Sequence, residues 1–357
     1  MDEARAGSTA EAASVGGGPA AFPKIELHVH LEATVRPATL LSIARRNGYA
    51  LPVDTVEGLA ELCRFRDFLH FLNVWIAVTP ALQTADDFRR VVVDYASEAA
   101  ARGAVYIEAI FSPAEPAVRG VAWEQVFEGY CDGAQEARER LGIEVNLTPD
   151  ITRTFSLSLA EETVRWCGRY RERGVVAVGL GGLENPPEQF ADVFALARSL
   201  GLGAVPHAGE AAGPESVRAA LEALHADRIR HGIRAVEDRA LVAELVARGV
   251  VLDVTPVSNL RTRVVKSLRR HPLRALRAAG VRCSISTDDP ALFATDLDLD
   301  YAVAAWLGVE PRWAYESGVA GALCAPATRE RLRTLGDAFD WTAVPPPPSD
   351  LKAQLRG

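Results

Sequence analysis

Lysine is scarce in this chain. Of its 39 lysines and arginines only Lys24, Lys266 and Lys352 are lysine, a bias that suits a GC-rich bacterial genome. Cysteine is sparse too: Cys63, Cys131, Cys167, Cys283 and Cys324 are scattered, odd in number and never spaced CxxC. That argues against a disulfide framework and for a reduced, cytoplasmic compartment. No apolar run approaches 18 residues, so no membrane-spanning helix is expected. The start of the chain lacks the basic and apolar segments of a secretory signal. Positive charge is not in surplus either: the formal net charge is −8. That leaves no footprint for nucleic acid or an anionic membrane and turns the reading towards small-molecule chemistry.

What the sequence does have is alternation. Short runs rich in Val, Ile and Leu recur at 24–30, 104–111, 144–150, 175–181, 203–207, 228–231, 250–255 and 282–287. Between most of them lie helical patterns, such as 190–201 and 238–249, each closed by glycine, the usual C-terminal helix stop. Eight strand–helix repeats predict an α/β fold, a (β/α)8 TIM barrel, with a doubly wound open sheet as the alternative. The barrel is preferred because the chemically conspicuous residues fall at the C-terminal ends of the runs, where barrel active sites are built. The interval 31–103 is too long for one connection and holds the aromatic, helix-like RFRDFLHFLNVWIAV at 64–78. It reads as a helical insertion after strand 1, a lid at about 35–100 over the barrel mouth. An ordinary barrel helix with a long loop is the plainer alternative. Residues 1–20, small and without periodicity, read as a disordered tail, and 21–340 as a single barrel domain. The stretch 341–357, with its proline run at 345–348, reads as a poorly ordered, Pro-rich C-terminal extension.

Four islands of histidine and acid stand out. His28 and His30, one residue apart at the end of the first run, point to the same face of a strand and can reach one ion. HAGE at 207–210, HG at 231–232 and TDD at 287–289 each follow a run of their own. His28, His30, His207 and Asp288 are the candidate metal ligands. Imidazole nitrogen with carboxylate oxygen suits one Zn2+ per subunit, with iron(II), cobalt or manganese as alternatives. A catalytic ion keeps a position for water, whose pKa it lowers towards ~7. His70, His225 and His271 lie in helix-like surroundings and are read as non-functional.

Taken together, KIELHVHLEATVRP (24–37), HAGE, RIRHG (228–232), PVSN (256–259) and STDDP (286–290) resemble the ordered signature set of the adenosine deaminase family. VYIEAIFSP (105–113) and VGLGGLEN (178–185) agree more weakly. The resemblance spans roughly residues 22–335. It implies a barrel with one catalytic zinc, an aminohydrolase that removes the 6-amino group of a purine. It also implies roles. Glu210 protonates purine N1, which requires a carboxyl whose pKa is raised by burial; the plain alternative is a carboxylate at a helix N-terminus. His231 is base and electrostatic anchor beside the activated water, or a strand-end histidine bonding a carbonyl. Asp289 hydrogen-bonds purine N7, or caps a helix ahead of Pro290. Gly182 offers its N–H to N3, glycine letting a flat base approach the backbone. Two rival enzyme classes fare worse. Cytidine-type zinc deaminases need PCxxC, which is absent. Binuclear hydrolases on this barrel commonly bridge two metals through a modified lysine on a middle strand, where none of the three lysines falls. The non-enzyme alternative is an inactive, nucleoside-binding barrel, against which the full set of site residues argues.

The departures from the family pattern bear on substrate. Adenosine deaminases usually read HLDG after the metal histidines, the aspartate helping to hold the ribose 5′-hydroxyl. Here Glu32 and Ala33 stand in those places. The usual YxExR has become Tyr106-Ile107-Glu108-Ala109-Ile110, without its arginine. Relatives reading HLE tend to deaminate adenine or 5′-modified nucleosides. The aromatic insertion, with Phe65, Phe68, Phe71, Trp75 and Val78, lacks the acidic segment expected of an adenine deaminase and suits an aromatic 5′ substituent. The expected substrate is 6-amino-6-deoxyfutalosine, an adenosine analogue of menaquinone biosynthesis whose 5′ extension bears a benzoate, with Arg66 or Arg153 meeting the carboxylate. Adenosine, then adenine, are the alternatives. Glu32, Gly182, Asp289 and Arg153 are thus the candidate substrate-binding residues. The expected partner is a small-molecule purine nucleoside, with neither nucleic acid nor membrane. The apolar insertion would serve equally as the interface of a homo-oligomer.

Overall fold

Branched side chains pack well on a pleated surface, and each Val/Ile/Leu-rich run contains strand. The computed structural model describes residues 21–355, so the tail expected at 1–20 lies outside the described residues. In chain order the strands are β1 Lys24–His30, β2 Ala104–Ile110, β3 Glu144–Leu147, β4 Asp150–Thr152 and β5 Ala177–Gly181. They continue as β6 Gly203–Ala204, β7 His207–Ala208, β8 Arg228–His231, β9 Val251–Val254 and β10 Arg282–Ile285. All pairings are parallel, in the orders β1-β2-β3, β4-β5-β6 and β10-β9-β8-β7.

Proline explains the breaks. Pro149 separates β3 from β4 and Pro206 separates β6 from β7, since a residue without N–H cannot donate to the ladder. Each pair is one interrupted stave. The ring closes where the Asp288 N–H donates to the His28 carbonyl (3.0 Å) and the His30 N–H to the Asp288 carbonyl (2.8 Å). Eight staves therefore form the expected parallel barrel, and its closing contact sets Asp288 between the two histidines of β1. A bulge helps: three steps along β1 from Glu26 to Val29 match two along β2 from Ile107 to Ala109. Bulges re-aim side chains next to active sites.

Inside the barrel sits a charged network. Arg228 reaches Asp253 (2.5 Å), Glu108 on the far side (2.7 Å) and the Leu27 carbonyl (3.2 Å), and Arg230 bonds Asp150 and Thr148. Both arginines are fully buried, which is tolerable only because every charge is paired.

Between β1 and β2 lie helices Pro37–Arg46, Val56–Leu62, Phe68–Val78 and Ala85–Ala101. Asp67 caps the third, and Thr84 with Asp87 makes a capping box on the fourth. That fourth helix packs closely on Trp123–Leu141: a Cβ on Gly129 would come within 2.5 Å of the Ala85 carbonyl. It is thus an ordinary barrel helix, and the additional helices end near residue 81 rather than 100. The C-terminal stretch differs from expectation as well. Trp341 packs against Tyr315 (ring centroids 5.3 Å apart) and Leu351 is buried, so residues after 340 lie on the barrel despite their prolines. No helix among the described residues is long and apolar enough to cross a membrane.

Candidate active site

Strands β1 and β7 and the turn after β10 end at one place. His28 Nε2 lies 3.1 Å from His207 Nε2 and 3.2 Å from Asp288 Oδ1; His30 Nε2 lies 3.3 Å from each. Donors held ~2.0–2.1 Å from one ion sit ~3.0–3.6 Å apart, so these four atoms have the spacing of a coordination shell. The tautomers agree. His28 Nδ1 faces the Asp253 carbonyl (3.4 Å) and His207 Nδ1 the Leu180 carbonyl (3.2 Å), which leaves bare Nε2 lone pairs facing one another. Opposed lone pairs repel unless a cation lies between them. Burial pulls all three imidazoles down; at His28 and His207 it prevails, whereas at His30 the charges of Asp289 and Asp288 override it and raise the ring to about 9. The four predicted ligands are therefore brought together and fit a divalent ion. Asp288 takes a left-handed φ of +67°, a strained conformation found at functional sites. Ser258 fixes its other oxygen by donating to Oδ2 (2.7 Å). Behind His207, Asp150 Oδ2 lies 3.4 Å from Nδ1.

Glu210 stands beside this cluster, buried. Burial first, then the charges of Asp288, Glu184 and Asp289, hold its carboxyl well above the usual carboxylate range. Its loop is gripped by Glu184. Oε1 accepts from the N–H groups of Glu210 (2.8 Å), Ala211 (2.7 Å) and Ala212 (3.1 Å), and Oε2 from Gly209 N–H (2.7 Å) and the Ser216 hydroxyl (2.6 Å). Those donors, opposing burial, keep the Glu184 carboxyl low. Asp289 is raised well above its ordinary range by burial and by Asp288. It stands before helix Pro290–Phe293 but makes no side-chain cap, and its Oδ1 has no protein partner. The capping role is thus not the one it plays.

A relay of hydrogen bonds orients His231. The Leu273 N–H donates to His271 Nδ1 (3.1 Å), so His271 carries its proton on Nε2 and donates to Asn259 Oδ1 (3.3 Å). Asn259 Nδ2 then donates to His231 Nδ1 (3.4 Å), near Thr255 Oγ1 (3.2 Å). His231 is left with its proton on Nε2, 3.4 Å from Glu210 Oε2 and 3.8 Å from Asp288 Oδ2. Burial lowers its pKa to about 3. A neutral ring protonated at Nε2 is a donor and anchor; the base role expected of it needs the other tautomer. His271, read from sequence as non-functional, is the root of this relay.

The cavity over the cluster has a volume of about 150 Å³. Phe68, Phe71, Leu72, Trp75 and Ile76 of the third helix form one wall; Glu210, His231, Asp288 and Asp289 form another. Gly182 borders it with φ +96°, and nothing lies within 4 Å of where a Cβ would stand. The other two substrate-binding candidates are elsewhere. Glu32 is buried outside the cavity wall, where its Oε1 accepts from Ser112 N–H (2.7 Å). Arg153 is spent on the carbonyls of Asn185 (2.9 Å) and His207 (2.5 Å), so it braces a ligand's backbone instead of facing substrate. Arg66 lines a separate groove. Sequence reading missed Glu184, Asp150, Ser258, Asn259 and His271. Glu184, Ser258 and Asn259 lie in blocks already conspicuous, VGLGGLEN and PVSN.

Comparison with known proteins gives the chain its family. The model of the adenosine deaminase family matches residues 23–314. The aminodeoxyfutalosine deaminase of Acidothermus cellulolyticus is 53% identical over 330 residues, covering 90% of this chain and 93% of that protein. The crystal structure of an adenine deaminase from Arthrobacter aurescens is 32% identical with a TM-score of 0.86, covering 91% of this chain and 100% of that one. An amidohydrolase from Burkholderia ambifaria, with bound zinc, is 26% identical with a TM-score of 0.79, covering 94% and 93%. The chain belongs to the adenosine deaminase family and is a metal-dependent aminohydrolase.

Proposed function

We propose that the protein hydrolyses the 6-amino group of 6-amino-6-deoxyfutalosine, releasing ammonia, with zinc held by His28, His30, His207 and Asp288. The 53% identity to the Acidothermus protein over 90% of this chain carries the choice of substrate. Three nitrogens and one oxygen suit zinc, and bound there it supplies an activated water as nucleophile for C6. The remaining work belongs to the chain. Glu210, kept protonated by its surroundings, donates to purine N1 and draws electrons from C6. Asp289, protonated for the same reason, donates to N7, an atom that only accepts. His231 Nε2–H anchors the oxygen that adds at C6; of the two protons that oxygen sheds, one restores Glu210 and the other joins the 6-amino group, which leaves as ammonia. Gly182 gives the base edge access to the backbone, with its N–H for N3. Phe71 and Trp75 cover the ring and exclude water. All five cysteines are free, in keeping with a cytoplasmic location.

Adenine is a second reading, favoured by the cavity: 150 Å³ lies below the ~300–1,000 Å³ of pockets for drug-sized ligands. Metal analysis with an ammonia-release assay tests the proposal. About one zinc per chain is expected, with activity on 6-amino-6-deoxyfutalosine lost on chelation and restored by zinc. A zinc-loaded protein that releases ammonia from no 6-aminopurine would be a binding barrel instead.

A further inference from the structure

We infer that a cationic groove beside the catalytic cavity receives the anionic, aromatic end of the substrate's 5′ arm; the inference rests on the function proposed above. The cavity itself is unsuited to that end. Its wall carries Glu115, Asp150, Glu210, Asp288 and Asp289 and, among the described residues, no lysine or arginine. A carboxylate entering it would lose its hydration and find no lysine or arginine to pair with.

The groove has the opposite character. It is a depression of about 1130 Å³ on the segments that follow β1, β9 and β10, with no Asp or Glu among the described residues that line it. β9 and β10 are the seventh and eighth staves, and loops after those two strands frequently build anion sites in barrels. Arg66, Arg263, Lys266 and Arg269 line it, all exposed. Among the described residues these four side chains have no ion-pair or hydrogen-bond partner, although Arg36 and Arg64 at the same groove are paired with Glu98 and Glu61. Four exposed cations without a counter-charge among the described residues give this groove a positive character in a chain whose net charge is −8. Arg263 also holds a left-handed φ of +66°, strained for arginine. The floor is apolar, from Leu59, Phe65, Leu260, Leu292 and Phe293. A cationic rim over an apolar floor matches an aromatic carboxylate.

A cluster of phenylalanine rings divides the two spaces. Phe71 lines the cavity, and its ring centroid lies 5.4 Å from that of Phe65 and 5.0 Å from that of Phe293, both in the groove wall. Phe65 sits in the non-helical link between helices Val56–Leu62 and Phe68–Val78, its ring packed on His70, Phe71 and Phe293. Turning Phe65 and Phe71 aside would join cavity and groove. The competing exit runs past Ile76 and Leu183, both exposed at the cavity mouth, and leaves the carboxylate in water.

A chemical double-mutant cycle decides between them. The wild type and the variant Arg263→Glu with Lys266→Glu are each assayed on 6-amino-6-deoxyfutalosine and on its methyl ester, with zinc content as the check on folding. Lys266→Ala with Arg269→Ala is a milder second variant. Esterification should lower the wild-type kcat/KM by roughly tenfold or more, the worth of a charge-assisted contact. Charge reversal should lower kcat/KM for the acid by a similar factor, and the two losses should not add. If the wild type prefers the extended nucleoside to adenosine but treats acid and ester alike, the groove inference is overturned and the exit past Ile76 stands. If the wild type does not prefer the extended nucleoside in either form, the function proposed above is overturned and this inference with it.

Discussion

Replacing Glu184 by glutamine should cripple turnover while leaving the metal ligands in place. The carboxylate takes five donors: three on Oε1 and two on Oε2. Glutamine keeps one oxygen. Its best orientation retains the three N–H groups at Oε1 and turns an NH2 towards Gly209 N–H, while the Ser216 hydroxyl reverses and accepts. One charge-assisted bond is lost outright, at ~1.5–3 kcal/mol, and the retained ones fall to the ~0.5–1.5 kcal/mol of neutral acceptors. The loosening falls on loop 209–212, which carries Glu210, and not on the barrel. At about 1.4 kcal/mol per factor of ten, kcat should fall ~10–100-fold. KM should stay within about threefold, since the acid acts mainly in the transition state. Glu184 is also one of the charges that keep Glu210 protonated. Its loss should therefore move the pH limb that reports Glu210 to lower pH. Steady-state kinetics across pH, zinc analysis and a melting curve are the assays. Near-normal kcat, or loss of zinc, would refute the reasoning.

Glu210→Gln should retain zinc and lose at least ~10²-fold in turnover, because the amide cannot protonate N1; activity close to wild type would remove Glu210 from the reaction. His271→Phe should break the relay and free His231 to change tautomer, with nitrogen NMR of the histidines as the readout. A wild-type spectrum with the His231 proton on Nδ1 would contradict the relay. The contribution of Glu26 to stability should fall as pH rises from about 4.5 to about 7. Burial raises the Glu26 carboxyl from 4.5 to about 7, despite bonds from Thr287 and Tyr95. The folded state thus favours the protonated form, so this contribution is fully present below pH 4.5 and lost as pH rises through about 7. A rise of that size corresponds to about 3 kcal/mol. Denaturant titrations of the wild type and Glu26→Gln should show a stability difference that moves against the wild type across that window; a difference independent of pH would acquit Glu26.

The sequence made legible whatever rests on local periodicity. Strand runs, the HxH spacing of His28 and His30, and the positions of His207 and Asp288 at strand ends are short-range signals, and the barrel followed from them. What escaped was set by contacts between distant segments. Glu184 reaches across 25 to 32 residues to hold the loop of Glu210. Nothing local to His271 says that Asn259 will connect it to His231. Arg153 was misassigned because an arginine near a substrate pocket looks like an anion binder, whereas the fold spends its donors on carbonyls. Glu32 follows a metal ligand by two residues, yet its carboxylate turns to the Ser112 N–H and does not line the cavity. The end of the extra helices was misplaced for a similar reason: the close packing at Gly129 that makes Ala85–Ala101 a barrel helix involves a segment more than 25 residues further on.

The most direct test of the central claim is a side-by-side measurement of kcat/KM for the zinc-loaded protein on 6-amino-6-deoxyfutalosine, adenosine and adenine. The account predicts an advantage of roughly a hundredfold or more for the first, the scale set by contacts to a substrate group that the others lack. Equal or greater kcat/KM on adenosine or adenine would contradict it.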